Sequence, residues 1–134
     1  MTVQSKSKSS TIWLDMLRHT AYFAVFIFFA LLTACHSSHI EVSVENRTGA
    51  PIRLLEVDYP SASFGKDSLA EGATLHYRIQ VQGTGRLRLQ YTTPDGRQPQ
   101  IDGPDLAELQ QGTLSIVLLP TGKADFQSHL STTR

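Results

Sequence analysis

Cys35 is the only cysteine in the 134-residue sequence, and it closes an apolar run that begins at Ala21. A single thiol has no second cysteine with which to form a disulfide, a redox pair or a cysteine metal site. Thr33 and Ala34, directly before it, are small, and small residues suit an extended segment in the narrow groove of a peptidase. Small residues at this point are typical of the region before a cleavage site in an export signal.

The apolar run from Ala21 to Ala34 is short for a helix that crosses a membrane. About fourteen residues at about 1.5 Å each reach only about 21 Å, whereas a span needs about 20 apolar residues. Extending the run backwards meets His19, Arg18 and Asp15. Basic residues, an apolar centre and small residues before the break are typical of an export signal. We therefore predict a signal helix within residues 1–34, with translation starting at Met1 or at Met16.

Leu32, Thr33, Ala34 and Cys35 resemble the lipobox of bacterial lipoprotein precursors, and the resemblance covers residues 1–36. It implies a diacylglycerol on the sulfur of Cys35, cleavage before this residue and acylation of the new amino group. The membrane partner would thus be reached through the lipid on Cys35. Ordinary cleavage and a retained helix are the alternatives. His36, rather than an aspartate, follows the cysteine, which by the same resemblance implies the outer membrane of the cell envelope, facing the periplasm.

Other chemistry-bearing residues do not form a recognisable site. His36 and His39 lack further histidines or cysteines at the spacing of a metal site. Asp102, Asp105 and Glu108 lack the dense, glycine-hinged spacing of a calcium loop. Serine, histidine and aspartate all occur, but the sequence contains no GxSxG, HExxH or glycine-rich phosphate loop. We therefore expect no enzyme, no metal and no cofactor.

The residues after Cys35 are mildly acidic, with eleven Asp and Glu against nine Lys and Arg. A nucleic-acid partner would require a basic excess. About a hundred residues make one domain. We expect a lipidated cysteine and short tether over 35–39, a folded domain over 40–127 and a flexible tail over 128–134.

Alternation of apolar and polar residues predicts strands. Ile40, Val42 and Val44 form the apolar face of the first strand. In the stretch 52–59 the alternation slips by one residue, which predicts a β-bulge near Leu54 and Leu55 that keeps both apolar sets on the core. Residues 60–68 are expected to be a loop in which Phe64 either plugs the core or contacts a partner.

Two further alternating stretches, 75–81 and 87–91, predict a hairpin. Pairing Val81 with Leu87 and Ile79 with Leu89 leaves a three-residue loop at 83–85. The opposite face of this hairpin would then carry a cluster of basic and polar residues. It is a solvated face or a docking site for an anionic partner, and its members are His76, Arg78, Gln80, Arg86, Arg88 and Gln90.

Residues 103–112 predict a short helical turn with Leu106 and Leu109 facing inward. Residues 113–119 predict a central strand and 124–126 a last short one. Six or seven strands indicate an all-β, antiparallel, immunoglobulin-like β-sandwich, with a small lipocalin-like barrel as the alternative.

The predicted function is a non-catalytic envelope module that binds an envelope protein or a cell-wall component. A carrier of small apolar ligands is the alternative, followed by a hydrolase.

Overall fold

The computed structural model describes residues 12–19, 22 and 37–133. The chain divides into two units, residues 1–36 and 37–134. In the first unit residues 12–19 and 22 are helical. Within the described residues, no helix is long and apolar enough to cross a membrane. The predicted lipobox, including Cys35, and His36 lie outside the described residues.

The second unit is a β-sandwich of eight strands. The strands are β1 (Ile40–Asn46), β2 (Ile52–Tyr59), β3 (Ala62–Leu69), β4 (Thr74–Ile79), β5 (Gly85–Thr92), β6 (Gln100–Leu106), β7 (Gln110–Leu118) and β8 (Ala124–Thr132). One four-stranded sheet has the order β4-β1-β7-β8, and the other has the order β3-β2-β5-β6. The predicted all-β sandwich is confirmed, and the described strands form two open sheets rather than a barrel.

The two-sheet sandwich architecture is the one that the sequence predicts. Its strand order differs from the constant-type immunoglobulin order, in which the first two strands share a sheet. Here β1 and β2 lie in different sheets, and β1 pairs in parallel with β7. The other pairs are antiparallel. The additional strand is β3, which the sequence predicts as a loop. Residues 97–101 predict a weak edge strand that overlaps only the start of β6, and residues 124–126 predict only part of β8.

The core lies between the sheets and follows the apolar alternation. Ile40, Val42 and Val44 are at most 2% exposed, as the alternation of β1 predicts. The predicted central strand is also confirmed, since β7 lies between β1 and β8. Among residues 37–133, seventeen apolar side chains are buried. The sandwich is therefore held mainly by removal of apolar surface from water.

The predicted hairpin between β4 and β5 is wrong. β4 pairs with β1, with Ile79 opposite Ile40, whereas β5 pairs with β2 and β6. Residues 80–84 therefore connect the two sheets. Ile79 and Leu89 are both buried, but they face the core from opposite sheets. Alternation determines which side of a strand faces the core and leaves the neighbouring strand undetermined.

The predicted bulge in β2 is confirmed, because the register between β2 and β5 shifts between Arg53 and Glu56. Leu54 is the extra residue, with φ of 51° and 58% exposure, so it does not face the core as we expected. Leu55 is buried instead. Across the bulge, a Cβ on Gly65 would lie 2.1 Å from the carbonyl oxygen of Leu55, so only glycine fits there.

Two regions predicted as irregular or helical are strands. Residues 62–69 form β3 rather than a loop. Residues 100–106 form β6 at the sheet edge, where Gly103 and Pro104 lie in a register irregularity opposite Leu87. Proline is tolerated there because an edge or bulge position requires no N–H donor. Leu106 is buried as predicted, but Leu109 follows the strand and is 54% exposed, with φ of 65°.

The expected tail is also ordered strand. β8 runs to Thr132 and pairs with β7 along its whole length, from Ala124 opposite Leu118 to Thr132 opposite Gln110. The prediction that residues 128–134 form a flexible tail is therefore wrong for 128–132. This part of β8 has few buried side chains, so its composition resembled that of a loop.

Candidate functional site

The predicted basic face does not exist as one surface. His76 and Arg78 lie on β4 of one sheet, while Arg86 and Arg88 lie on β5 of the other. All four are exposed, and residues that face away from the core point in opposite directions on the two sheets of a sandwich. A binding role for either pair stays a prediction.

The three arginines also have carboxylate neighbours. Arg78 Nε lies 2.5 Å from Glu41 Oε1. Arg86 and Arg88 share Asp102 at 3.7 and 3.4 Å. These pairs are exposed, so each contributes little to stability, but each offsets the positive charge that an anionic partner would require.

Phe64 is not at the surface. Its side chain is 6% exposed, and its ring stacks on that of Tyr77 with centroids 4.4 Å apart and planes 5° apart. Phe64 therefore belongs to the core. The sequence allowed either this position or an exposed one in contact with a partner.

His39, which the sequence does not assign to a metal site, contacts neighbouring protein groups. His39 Nδ1 donates to the carbonyl oxygen of Ser37 at 2.9 Å, and its Nε2 lies 3.9 Å from Glu41. Across residues 12–19, 22 and 37–133, no group of three or more His, Cys, Asp or Glu side chains could hold a metal ion.

A pocket of about 540 Å³ opens at one end of the sandwich. It is formed by three loops that connect β1 to β2, β5 to β6 and β7 to β8. β1 begins at the opposite end and runs towards it. The pocket is lined by Thr48, Ala50, Tyr91, Thr93, Pro94, Asp95, Arg97, Gln98, Pro99, Pro120, Thr121 and Gly122.

Asn46 fixes the first of these loops. It is completely buried, and its Nδ2 donates to the carbonyl oxygens of Ala50 at 2.9 Å and Leu69 at 3.0 Å. Its Oδ1 accepts a hydrogen bond from the backbone N–H of Thr48 at 3.0 Å. Burying a side-chain amide costs free energy unless its donors and acceptor form hydrogen bonds, as they do here. Asn46 therefore holds Thr48 and Ala50 in the wall of the pocket.

The loop between β5 and β6 is stabilised by a local network. The backbone N–H of Thr93 donates to the carbonyl oxygen of Arg97 at 2.9 Å. The Thr93 hydroxyl donates to Asp95, and Arg97 Nε donates to Asp95 Oδ2 at 2.6 Å. These bonds hold the pKa of Asp95 below its usual value. The bond from Thr93 has the larger effect, and the bond from Arg97 follows. Asp95 is thus an ionised acceptor rather than a general acid at neutral pH.

Tyr91 lies at the floor of the pocket. It is 1% exposed, and it faces the space between the sheets at the end of β5. The described part of the chain provides no hydrogen-bond partner for its hydroxyl. Among the described residues, no polar side-chain atom is both fully buried and unpaired. The hydroxyl therefore reaches solvent. Tyr91 lines this pocket and also a neighbouring one of about 270 Å³. Burial raises the pKa of Tyr91, and Arg97 opposes this effect.

Sequence reasoning placed Tyr91 in the core and missed the pocket. The available signal was the set of prolines, threonines and glycines in the loops at 93–99 and 119–123, which composition alone assigns to turns. No family model, curated protein or solved structure matches the chain.

Proposed function

We propose that the chain is a lipoprotein of the bacterial cell envelope, anchored through a lipid on Cys35, whose sandwich is a non-catalytic binding module. The segment Leu32 to Cys35 supports the anchor. His36 after the cysteine supports the outer membrane, with the domain facing the periplasm. The partner is an envelope protein or a cell-wall component.

The direction in which β1 runs through the sandwich is the observation that best supports the proposal. β1 begins at Ile40, five residues after Cys35 in the sequence, and runs towards the pocket. A five-residue tether extends at most about 18 Å. A lipid on Cys35 would therefore hold the near end of the sandwich close to the bilayer and leave the pocket end turned towards the periplasm.

The chemistry of the pocket favours binding over catalysis. Its lining carboxylate, Asp95, is occupied by Thr93 and Arg97, and its lining hydroxyls belong to threonines and Tyr91. Activation of such a hydroxyl would require a neighbouring base. The described residues that line this pocket include no histidine. The arrangement presents hydrogen-bonding groups in fixed positions, which is what a binding site requires.

Fractionation with fatty-acid labelling tests the proposal. The full chain should incorporate a fatty-acid analogue and sediment with outer-membrane markers. Cys35→Ser should lose the label and leave the membrane fraction. His36→Asp provides the matched control, because it should keep the label while moving to the inner-membrane fraction. Label that survives Cys35→Ser would refute the anchor.

A further inference from the structure

We infer that the pocket between the loops 47–51, 93–99 and 119–123 binds a neutral saccharide, with the Tyr91 hydroxyl and the Arg97 guanidinium as polar contacts. This inference rests on the proposed binding function and gives it a site and a ligand class. The volume of about 540 Å³ lies within the range of about 300–1,000 Å³ found for small-ligand sites.

The hydroxyl of Tyr91 has no hydrogen-bond partner among the described residues, and it reaches solvent. The phenol both donates and accepts hydrogen bonds, and it lies at the bottom of an opening although the residue is 1% exposed. The hydroxyl is therefore able to donate a hydrogen bond to a ligand in the pocket and to accept one from it.

The charges of the lining favour a neutral ligand. Arg97 and Asp95 form an ion pair, with Nε 2.6 Å from Oδ2. An anion would approach Arg97 beside the Asp95 carboxylate, and a cation would approach Asp95 beside the guanidinium. Arg97 uses Nε for this pair, so its terminal amino groups remain able to donate to a neutral acceptor.

The rest of the lining suits a polyol with an apolar face. Thr121 and Gln98 supply groups that both donate and accept hydrogen bonds. Three proline rings add rigid apolar surface. A sugar ring presents hydroxyls at its edge and C–H groups on its faces, so it can use both kinds of surface at once. An acetamido sugar adds a carbonyl acceptor for the Tyr91 hydroxyl.

The test is a titration of the full chain in detergent with N,N′-diacetylchitobiose, observed by saturation-transfer NMR. Tyr91→Phe removes only the hydroxyl and should weaken binding about fivefold, as expected for one neutral hydrogen bond. Tyr77→Phe is the matched control, because it removes a hydroxyl outside the pocket and should leave the Kd unchanged. Thr121→Tyr, at an exposed position on the pocket rim, should abolish binding by filling the opening.

The inference is overturned if the disaccharide does not bind, if Tyr91→Phe and Thr121→Tyr bind as tightly as the original chain, or if inorganic phosphate binds in preference to the sugar. Melting curves verify that each variant is folded. Cys35→Ser should bind the sugar normally, so failure of the lipid anchor and failure of the pocket are distinguishable. Cosedimentation with insoluble cell-wall glycan distinguishes a wall polymer from a free saccharide, and either source agrees with the site.

Discussion

The ring of Phe64 stacks on the ring of Tyr77, and this contact joins the edge strands β3 and β4 of two different sheets. Phe64→Ala should destabilise the sandwich by about 3 kcal/mol, because a buried aromatic is lost and a cavity remains. Tyr77→Phe keeps the stacked ring and should change stability by less than about 0.5 kcal/mol. Urea unfolding measures both. A loss below about 1 kcal/mol for Phe64→Ala would show that the contact does not close the sandwich.

The bulge in β2 makes Leu54 and Leu55 a matched pair. Leu54 is 58% exposed at a positive φ, a conformation that asparagine tolerates better than leucine. Leu54→Asn should therefore raise the free energy of unfolding, by up to about 1 kcal/mol. Leu55→Asn places an amide in the core and should lower it by more than about 3 kcal/mol. If Leu54→Asn destabilised the protein more than Leu55→Asn, the extra residue of the bulge would be Leu55 instead of Leu54.

The loss of Asn46 should loosen the pocket wall as well as the fold. Asn46→Ala leaves the buried carbonyl oxygens of Ala50 and Leu69 without its amide and should cost about 2–4 kcal/mol. Thr48→Ser provides a control, because it keeps the hydroxyl that donates to Asn46 Oδ1 at 2.8 Å and to the carbonyl oxygen of Ala50 at 2.9 Å. Thermal unfolding, with amide hydrogen exchange at residues 47–50, measures both effects. Unchanged exchange in Asn46→Ala would contradict the role assigned to this side chain.

The turn between β5 and β6 should weaken in acid. The bonds from Thr93 and Arg97 lower the pKa of Asp95 in the folded state, so its stabilising contribution is present above the unfolded pKa and is lost as the pH falls through the folded pKa. An NMR titration should give Asp95 a pKa below that of an ordinary aspartate. Thr93→Val removes the largest cause and should raise that pKa. An ordinary pKa in both proteins would refute the network.

Alternation in the sequence predicted the strands that bury every second residue, but it did not predict most of the edge strands. β1 and β7 have continuous inward apolar faces, so both their existence and their burial were predictable. β3 buries only Phe64 and Leu69, and β8 leaves most of its side chains exposed, because an edge strand packs less against the core. A weak apolar pattern then resembles a loop.

The candidate site was less predictable than the fold. Its walls come from three loops that are far apart in the sequence, and their proximity depends on which strands share a sheet. The predicted β4–β5 hairpin satisfied the same alternation as the observed pairing, so the sequence had no means of rejecting it. Alternation does place Tyr91 on the core side. The position of its hydroxyl at the pocket depends on the three loops at that end of the sandwich, so it could not be predicted from the sequence.

The most direct test of the proposed envelope anchor is mass spectrometry of the protein extracted from bacterial membranes. We predict a mature chain that begins at Cys35, with a diacylglycerol on its sulfur and an acyl chain on its amino group, and no peptide from residues 1–34. A chain that retains the run from Ala21 to Ala34, or one that carries no lipid at Cys35, would contradict the account.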